Sequence, residues 1–256
     1  MKLYYTMVLF LFGTIFGSFY NVVGSRLPRG ESIIKPRSHC TNCGHELGAS
    51  ELIPIFSFLF LGGKCKVCKQ KLSWFHPFFE LTTGLLFALA YFIFGFSIEF
   101  AIALTFLSML LIIIVSDLET MIIPDEVLVV GILLLGIEIV IQKGFVGFGW
   151  SLLDGVLAFA IMFLLKKFGD FLFKKESMGG GDIKLMFVFG LVLGWELTLI
   201  SIFFASFIGL PISCMLLYKK KEHIIPFGPF LAIAGIILFL SKIDFLSLMD
   251  LLIYRA

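Results

Sequence analysis

Long apolar runs, separated by short polar or glycine-rich breaks, recur along most of the chain. Runs near 20 residues are what a helix needs to cross a hydrocarbon core of about 30 Å. They are continuous and do not alternate, which argues against a membrane β-barrel. The pattern predicts helices over 4–24, 76–95, 98–116, 124–142, 146–165, 183–195, 197–218 and 226–241. The expected fold is therefore an all-α polytopic membrane protein with about eight transmembrane helices. The sixth run is short, so it is expected to tilt or to enter the membrane only partly. A last segment, DFLSLMDLLIYRA, sets charge and leucine at helical spacing and is expected to lie along the membrane surface. The first run, YYTMVLFLFGTIFGSFYNVV, is long and is followed by no small-residue cleavage site, so it reads as a retained helix.

Composition agrees with this pattern. Mean hydropathy is +1.05 and charged residues make up 15% of the chain, against about 25% in soluble domains. The placement of positive charge then sets the orientation. Of the 20 lysines and arginines, all but Lys2, Lys143, Lys242 and Arg255 fall in the segments 25–75, 117–123, 166–184 and 219–225. Positive residues are retained on the cytoplasmic side, so these segments are expected to face the cytoplasm. With a net charge of only +2, the lysines read as orientation signals and contacts to anionic lipid, and no nucleic-acid partner is expected.

The longest polar break, 25–75, carries HCTNCGH and GKCKVCKQ. Cys40 and Cys43 form one C-x-x-C, and Cys65 and Cys68 another. Two such knuckles can set four thiolates tetrahedrally around one zinc ion. Gly44 suits the tight turn, and Lys64, Lys66 and Lys69 favour deprotonated thiols. Two disulfides would need an oxidising compartment. A redox C-x-x-C remains a further reading, which two copies in a small lysine-rich loop disfavour. With four cysteines the site would be structural, with no open position for chemistry. His39 and His45 then read as surface groups, and Cys214, in an apolar run, as a small packing residue.

Acidic residues beside membrane helices need individual reasons. In IIIVSDLETMIIPDEV, Asp125 and Glu126 follow Pro124 at a helix start, where acids suit the macrodipole. Asp117 ends a helix, where the dipole disfavours its charge. Asp182 begins one, in SMGGGDIKL. It is either an N-cap or a functional group, and the glycines Gly179, Gly180 and Gly181 favour the second reading. They permit close backbone approach and unusual dihedrals, which a plain cap does not need. The expected topology brings Asp117 and Asp182 to the same membrane boundary. Two carboxylates sharing a site hold one proton between them and can activate water. Glu80, Asp125 and Lys184 could line the same cavity, while Glu138 and Asp154 read as structural or interfacial.

Several stretches together resemble the type IV prepilin peptidases, which combine a GxGD aspartyl leader peptidase with an N-methyltransferase. They are FGSFYNVVGSRLPRGES, the paired C-x-x-C motifs, LIPIFSFL, CKQKLSWFHPFFELTTGLLF, SDLETMIIPDE, MGGGDIKL followed by GLVLGW, and IPFGPFLAIAG. They follow the family's order along most of the chain. Gly24-Ser25 departs from it, replacing a larger residue and a tyrosine. The resemblance implies that Asp117 and Asp182 are the catalytic pair and that the glycine turn presents Asp182. It implies cleavage of the short basic leader of a prepilin or pseudopilin after a glycine, at the cytoplasmic face of a bacterial inner membrane. It further implies methylation of the new amino terminus by S-adenosylmethionine. The expected division is a first helix (1–24), a cytoplasmic tetracysteine loop domain associated with methylation (25–75) and a peptidase domain (76–256). Three alternatives compete: a peptidase without methylation, a membrane transporter, and a zinc-bearing assembly protein without catalysis.

Overall fold

The computed structural model describes residues 1–176, 178–220, 225–247 and 250. Eight α-helices dominate it: α1 (Lys2–Arg26), α2 (Phe56–Phe60), α3 (Phe75–Phe94), α4 (Ile98–Thr120), α5 (Asp125–Phe173), α6 (Gly180–Leu193), α7 (Trp195–Lys220) and α8 (Gly228–Ser241). The chain divides into two compact units, 1–100 and 101–256. Each apolar run expected to be helical falls on a helix, with Gly95, Pro124, Gly194, Pro226 and Phe227 at the margins left outside.

The expected count of eight spans does not carry over directly. Among the described residues, five helices are long and apolar enough to cross a membrane: Lys2–Arg29, Phe75–Phe94, Ile98–Thr120, Asp125–Phe173 and Trp195–Met215. Two causes account for the difference. The runs 124–142 and 146–165 are joined in the single 49-residue α5, interrupted at Gly144, where φ is 73° and ψ 176°. Such a φ is open to glycine and rarely to other residues. A Cβ on Gly136 would stand 3.5 Å from the Phe148 ring. A straight helix would hold positions so spaced about 18 Å apart, so α5 bends sharply at Gly144. The second cause is length. Helices α6 and α8 have 14 residues each, or roughly 21 Å, short of a full hydrocarbon core. The segment from 244 expected to lie along the surface falls largely outside the described residues.

In the first unit, α1 and α3 pack through glycine. A Cβ on Gly13 would stand 2.7 Å from Gly84 Cα, and one on Gly84 would stand 2.9 Å from Phe10 O. Gly17 meets α3 one turn further along, at Glu80 and Thr83. Small residues four apart let helix backbones approach in lipid, where association depends on close packing. In the second unit, Gly155 of α5 and Gly190 of α6 make the same kind of approach, 2.7 Å from a Cβ on Gly190 to Gly155 Cα. The buried apolar residues of this unit include Phe106, Leu110, Leu185 and Phe189, with the Phe106 and Phe189 rings 5.5 Å apart.

Candidate active site and metal centre

In the second unit the ends of α4, α5, α6 and α8 come together. Asp117 lies three residues before the end of α4 and is 6% exposed. The end of α4 is fixed by its own turn: Met121, at φ 57°, donates its N–H to the Asp117 carbonyl at 3.0 Å. The Ser116 hydroxyl donates to Ile122 O at 2.5 Å, tying the following strand of chain back to the helix. The Asp117 carboxylate receives the Gly228 N–H at 2.9 Å. Gly228 is the first residue of α8 and Pro229 follows it, a start that suits proline because its missing N–H has no helical partner there. The α8 N-terminus thus presents backbone hydrogen and a positive dipole end to Asp117, offsetting the unfavourable end of α4. A Cβ on Gly228 would stand 2.5 Å from Asp117 Oδ2, so no larger residue fits without moving the carboxylate.

Asp182 is 8% exposed and lies in the first turn of α6, whose N-cap is Gly179. It is not itself the N-cap. From the third helical position its side chain reaches back to the Gly179 N–H, as the acid of a capping box does. Asp117 lies near enough for direct repulsion between the two charges. The three glycines have different reasons. None adopts a positive φ, so the expected unusual dihedrals are absent. Gly181 is required for close approach, because a Cβ there would stand 2.8 Å from Ile123 Cβ. A Cβ on Gly180 would meet nothing within 4 Å.

Asp125, in the first turn of α5, receives both its hydrogen bonds from Lys184 Nζ, at 2.6 and 2.8 Å. This exposed pair bridges the N-termini of α5 and α6. Glu80 lies in the first unit, where it accepts the Ile55 N–H at 2.8 Å and the Ser18 hydroxyl. Glu138 accepts from the Thr105 hydroxyl at 2.8 Å, and Asp154 faces Glu196 and Lys143. Cys214, expected to pack, is exposed on α7. Reading by residue type missed Gly228. Its signal was a Gly-Pro pair opening an apolar run.

The first unit carries the four cysteines on two equivalent knuckles. Cys40 N–H donates to His45 O and Gly44 N–H to Cys40 O, both at 2.9 Å. Cys65 N–H donates to Gln70 O at 2.9 Å and Lys69 N–H to Cys65 O at 3.1 Å. Gly44 and Lys69 hold corresponding left-handed positions, at φ 72° and 59°. Isolated bridges His39–Glu46 and Lys64–Lys71 close each knuckle. All four Sγ atoms lie within 4.8 Å of one another. Cys40 and Cys68 are 3.8 Å apart, and Cys43 and Cys65 3.9 Å. Four thiolates tetrahedral about zinc at about 2.3 Å stand roughly 3.8 Å from each other, so the donor set and its spacing fit that ion. Backbone N–H groups of Cys43 and Asn42 lower the Cys40 thiol. The Gln70 N–H and the Asn42 amide bring Cys68 down to about 6. The histidines point elsewhere: His45 Nε2 is 3.1 Å from Glu51 Oε2, and His39 Nδ1 is 3.0 Å from Arg37 O. Glu51 is held below the usual carboxylate range by the Gly48 N–H and then by His45.

A helical multi-pass membrane protein with a buried aspartate pair and a tetracysteine module is the class these features define. Comparison with known proteins narrows it. The model of the Bacterial Peptidase A24 N-terminal domain matches residues 11–94, and that of the Type IV leader peptidase family matches residues 104–214. Relatives called prepilin leader peptidase/N-methyltransferase include one from Bacillus subtilis (strain 168), 37% identical across 91% of this chain and 93% of the relative. Another, from Aeromonas hydrophila, is 34% identical across 91% and 89%. A third, from Pseudomonas aeruginosa, is 34% identical across 88% and 86%. No solved structure matches the chain. The chain belongs to the type IV leader peptidase family.

Proposed function

We propose that this protein is a membrane aspartic endopeptidase that removes the short basic leader from type IV prepilins or pseudopilins and then N-methylates the new amino terminus. The observation that carries the first activity is the buried pair Asp117 and Asp182, with Gly228 donating to Asp117. Two buried carboxylates in one site can share a single negative charge. The ionised member takes a proton from water, which attacks the scissile carbonyl. The protonated member donates to the carbonyl oxygen, and the leaving amine is protonated as the tetrahedral intermediate collapses. The N-termini of α6 and α8 both favour negative charge at this place. Gly181 keeps α6 tight against Ile123, and the Asp125–Lys184 pair fixes the two helix starts around the site.

The protein is placed in a bacterial inner membrane with its N-terminus outside and eight crossings, the bend at Gly144 separating two of them. The lysine distribution supports this orientation. It sets Asp117, Asp182 and the 25–75 loop at the cytoplasmic face, where a basic leader would remain, with cleavage after a glycine. Cys40, Cys43, Cys65 and Cys68 would hold zinc, which would supply a structural cross-link to a loop with little core of its own. S-adenosylmethionine would be the methyl donor for the second activity. The test is incubation of the purified protein in detergent with a prepilin and the methyl donor, followed by mass analysis. Loss of the leader and gain of one methyl group are expected. An intact substrate would overturn the reading. Cleavage without methylation would restrict it to a peptidase.

A further inference from the structure

The first unit holds buried polar groups that peptide cleavage does not use. Glu80 on α3 is 8% exposed and Asn21 on α1 is 6% exposed. Glu80 is held from two sides, by the Ile55 N–H at 2.8 Å and by the Ser18 hydroxyl. Ile55 delivers its N–H from φ 63°, a conformation that a β-branched residue rarely adopts. Asn21 follows Ser18 by three residues, so the two share a helix face. The contacts Gly13–Gly84 and Gly17–Glu80 run antiparallel, and that register sets Asn21 opposite the first turn of α3. The Asn21 amide oxygen is buried and has no hydrogen-bond partner among the described residues. Leaving such an acceptor unmatched is unfavourable, and a ligand with a donor would satisfy it. A carboxylate and a free amide oxygen on neighbouring turns suit a group with several N–H donors and positive charge, which describes an amino terminus.

We infer that Glu80 and Asn21 bind the amino terminus of the cleaved substrate, with Glu80 as the base that prepares it for methyl transfer. The inference rests on the two-activity reading above. The leader peptidase match is confined to 104–214, whereas Glu80 and Asn21 lie in the separately matched 11–94. In the step, Glu80 takes one proton from the substrate ammonium. The neutral nitrogen then uses its lone pair to form a bond to the methyl carbon of a sulfonium donor. The carbon–sulfur bond breaks and its electron pair stays on sulfur, which becomes a neutral thioether. The product is a methylammonium, and Glu80 later returns its proton to water.

The test uses the full-length protein in detergent and a synthetic peptide with the cleaved substrate's apolar amino-terminal sequence, either free or N-acetylated. Because the peptide is already cleaved, peptidase activity does not enter. Binding is read by fluorescence anisotropy and methylation by mass. Wild-type protein should bind the free amine at least about tenfold more tightly than the acetylated form, as a charge-assisted hydrogen bond implies. Glu80→Gln should abolish that preference and slow methylation roughly 10²–10⁴-fold. Asn21→Leu removes the unmatched amide. It should keep or raise the thermal midpoint while weakening amine binding, which a purely structural asparagine would not do. Wild-type amine preference in both variants would overturn the inference, as would a lowered midpoint in Asn21→Leu with binding unchanged. A wild-type protein that binds the amine through Glu80 yet never methylates it would remove the second activity and leave the binding site standing.

Discussion

A single hydrogen in place of a methyl group decides the geometry at Gly228. Its N–H is 2.9 Å from Asp117 Oδ2, and a Cβ would stand 2.5 Å from the same oxygen. Gly228→Ala should therefore displace the carboxylate and lower kcat by about 100-fold, the scale of a misplacement near 1 Å, with little change in expression. Steady-state cleavage kinetics check this, and a wild-type kcat would show that the contact yields without consequence. Asp117 and Asp182 were legible in the sequence because an acid at a membrane boundary is expensive and each had an identifiable helix position. Gly228 was not, because its contribution is a backbone N–H reaching a residue 111 positions away. The three glycines before Asp182 were legible as a group but not individually. Only the neighbour across the gap, Ile123, distinguishes Gly181 from Gly180.

At the scale of elements, the helices themselves were readable from length and hydropathy, but the contacts between them were not. The Gly13–Gly17 spacing on α1 became meaningful only when Gly84 was found against it. Gly13→Val should destabilise the protein by about 1–3 kcal/mol through overpacking. Gly149→Ala, whose Cβ would meet nothing within 4 Å, should be neutral or slightly stabilising. Thermal midpoints in detergent compare the two, and equal effects would contradict the packing argument. The bend at Gly144 was legible as a break, because Gln142 and Lys143 interrupt the apolar pattern ahead of it; its φ of 73° shows how the chain turns there. The cysteine knuckles were the most legible element, since spacing alone implies their ligand set. Cys68→Ser should abolish stoichiometric zinc and loosen the 25–75 loop toward proteolysis, while cleavage, with its carboxylates elsewhere in the chain, should survive in part. Elemental analysis of protein purified without chelator checks this, and absence of zinc from the wild type would refute it.

At the scale of the whole molecule, two compact units match two separate family models, and the carboxylate pair and the cysteines fall in different ones. Orientation was read from where lysine and arginine stand, which is a property of the whole chain. Glu176→Cys, in the segment ahead of α6, should react with an impermeant thiol reagent only from the cytoplasmic side. Labelling from outside intact cells would invert the topology and remove the site from the face where a basic leader would lie.

The central claim is that Asp117 and Asp182 act as one proton-sharing unit, and cleavage of a purified prepilin by Asp182→Asn tests it most directly. Asn accepts the Gly179 N–H through its amide oxygen and should support α6 about as well as Asp, so a capping role predicts near-normal cleavage. A shared proton predicts a fall of roughly 10²–10⁴-fold or more in a protein that remains folded. Asp117→Asn should match it, and the double variant should be no worse than either single one, because groups that act as a unit are not additive. Methylation of a pre-cleaved peptide should persist in all three. Near-normal cleavage by Asp182→Asn would contradict the account and leave the aspartate as a helix cap.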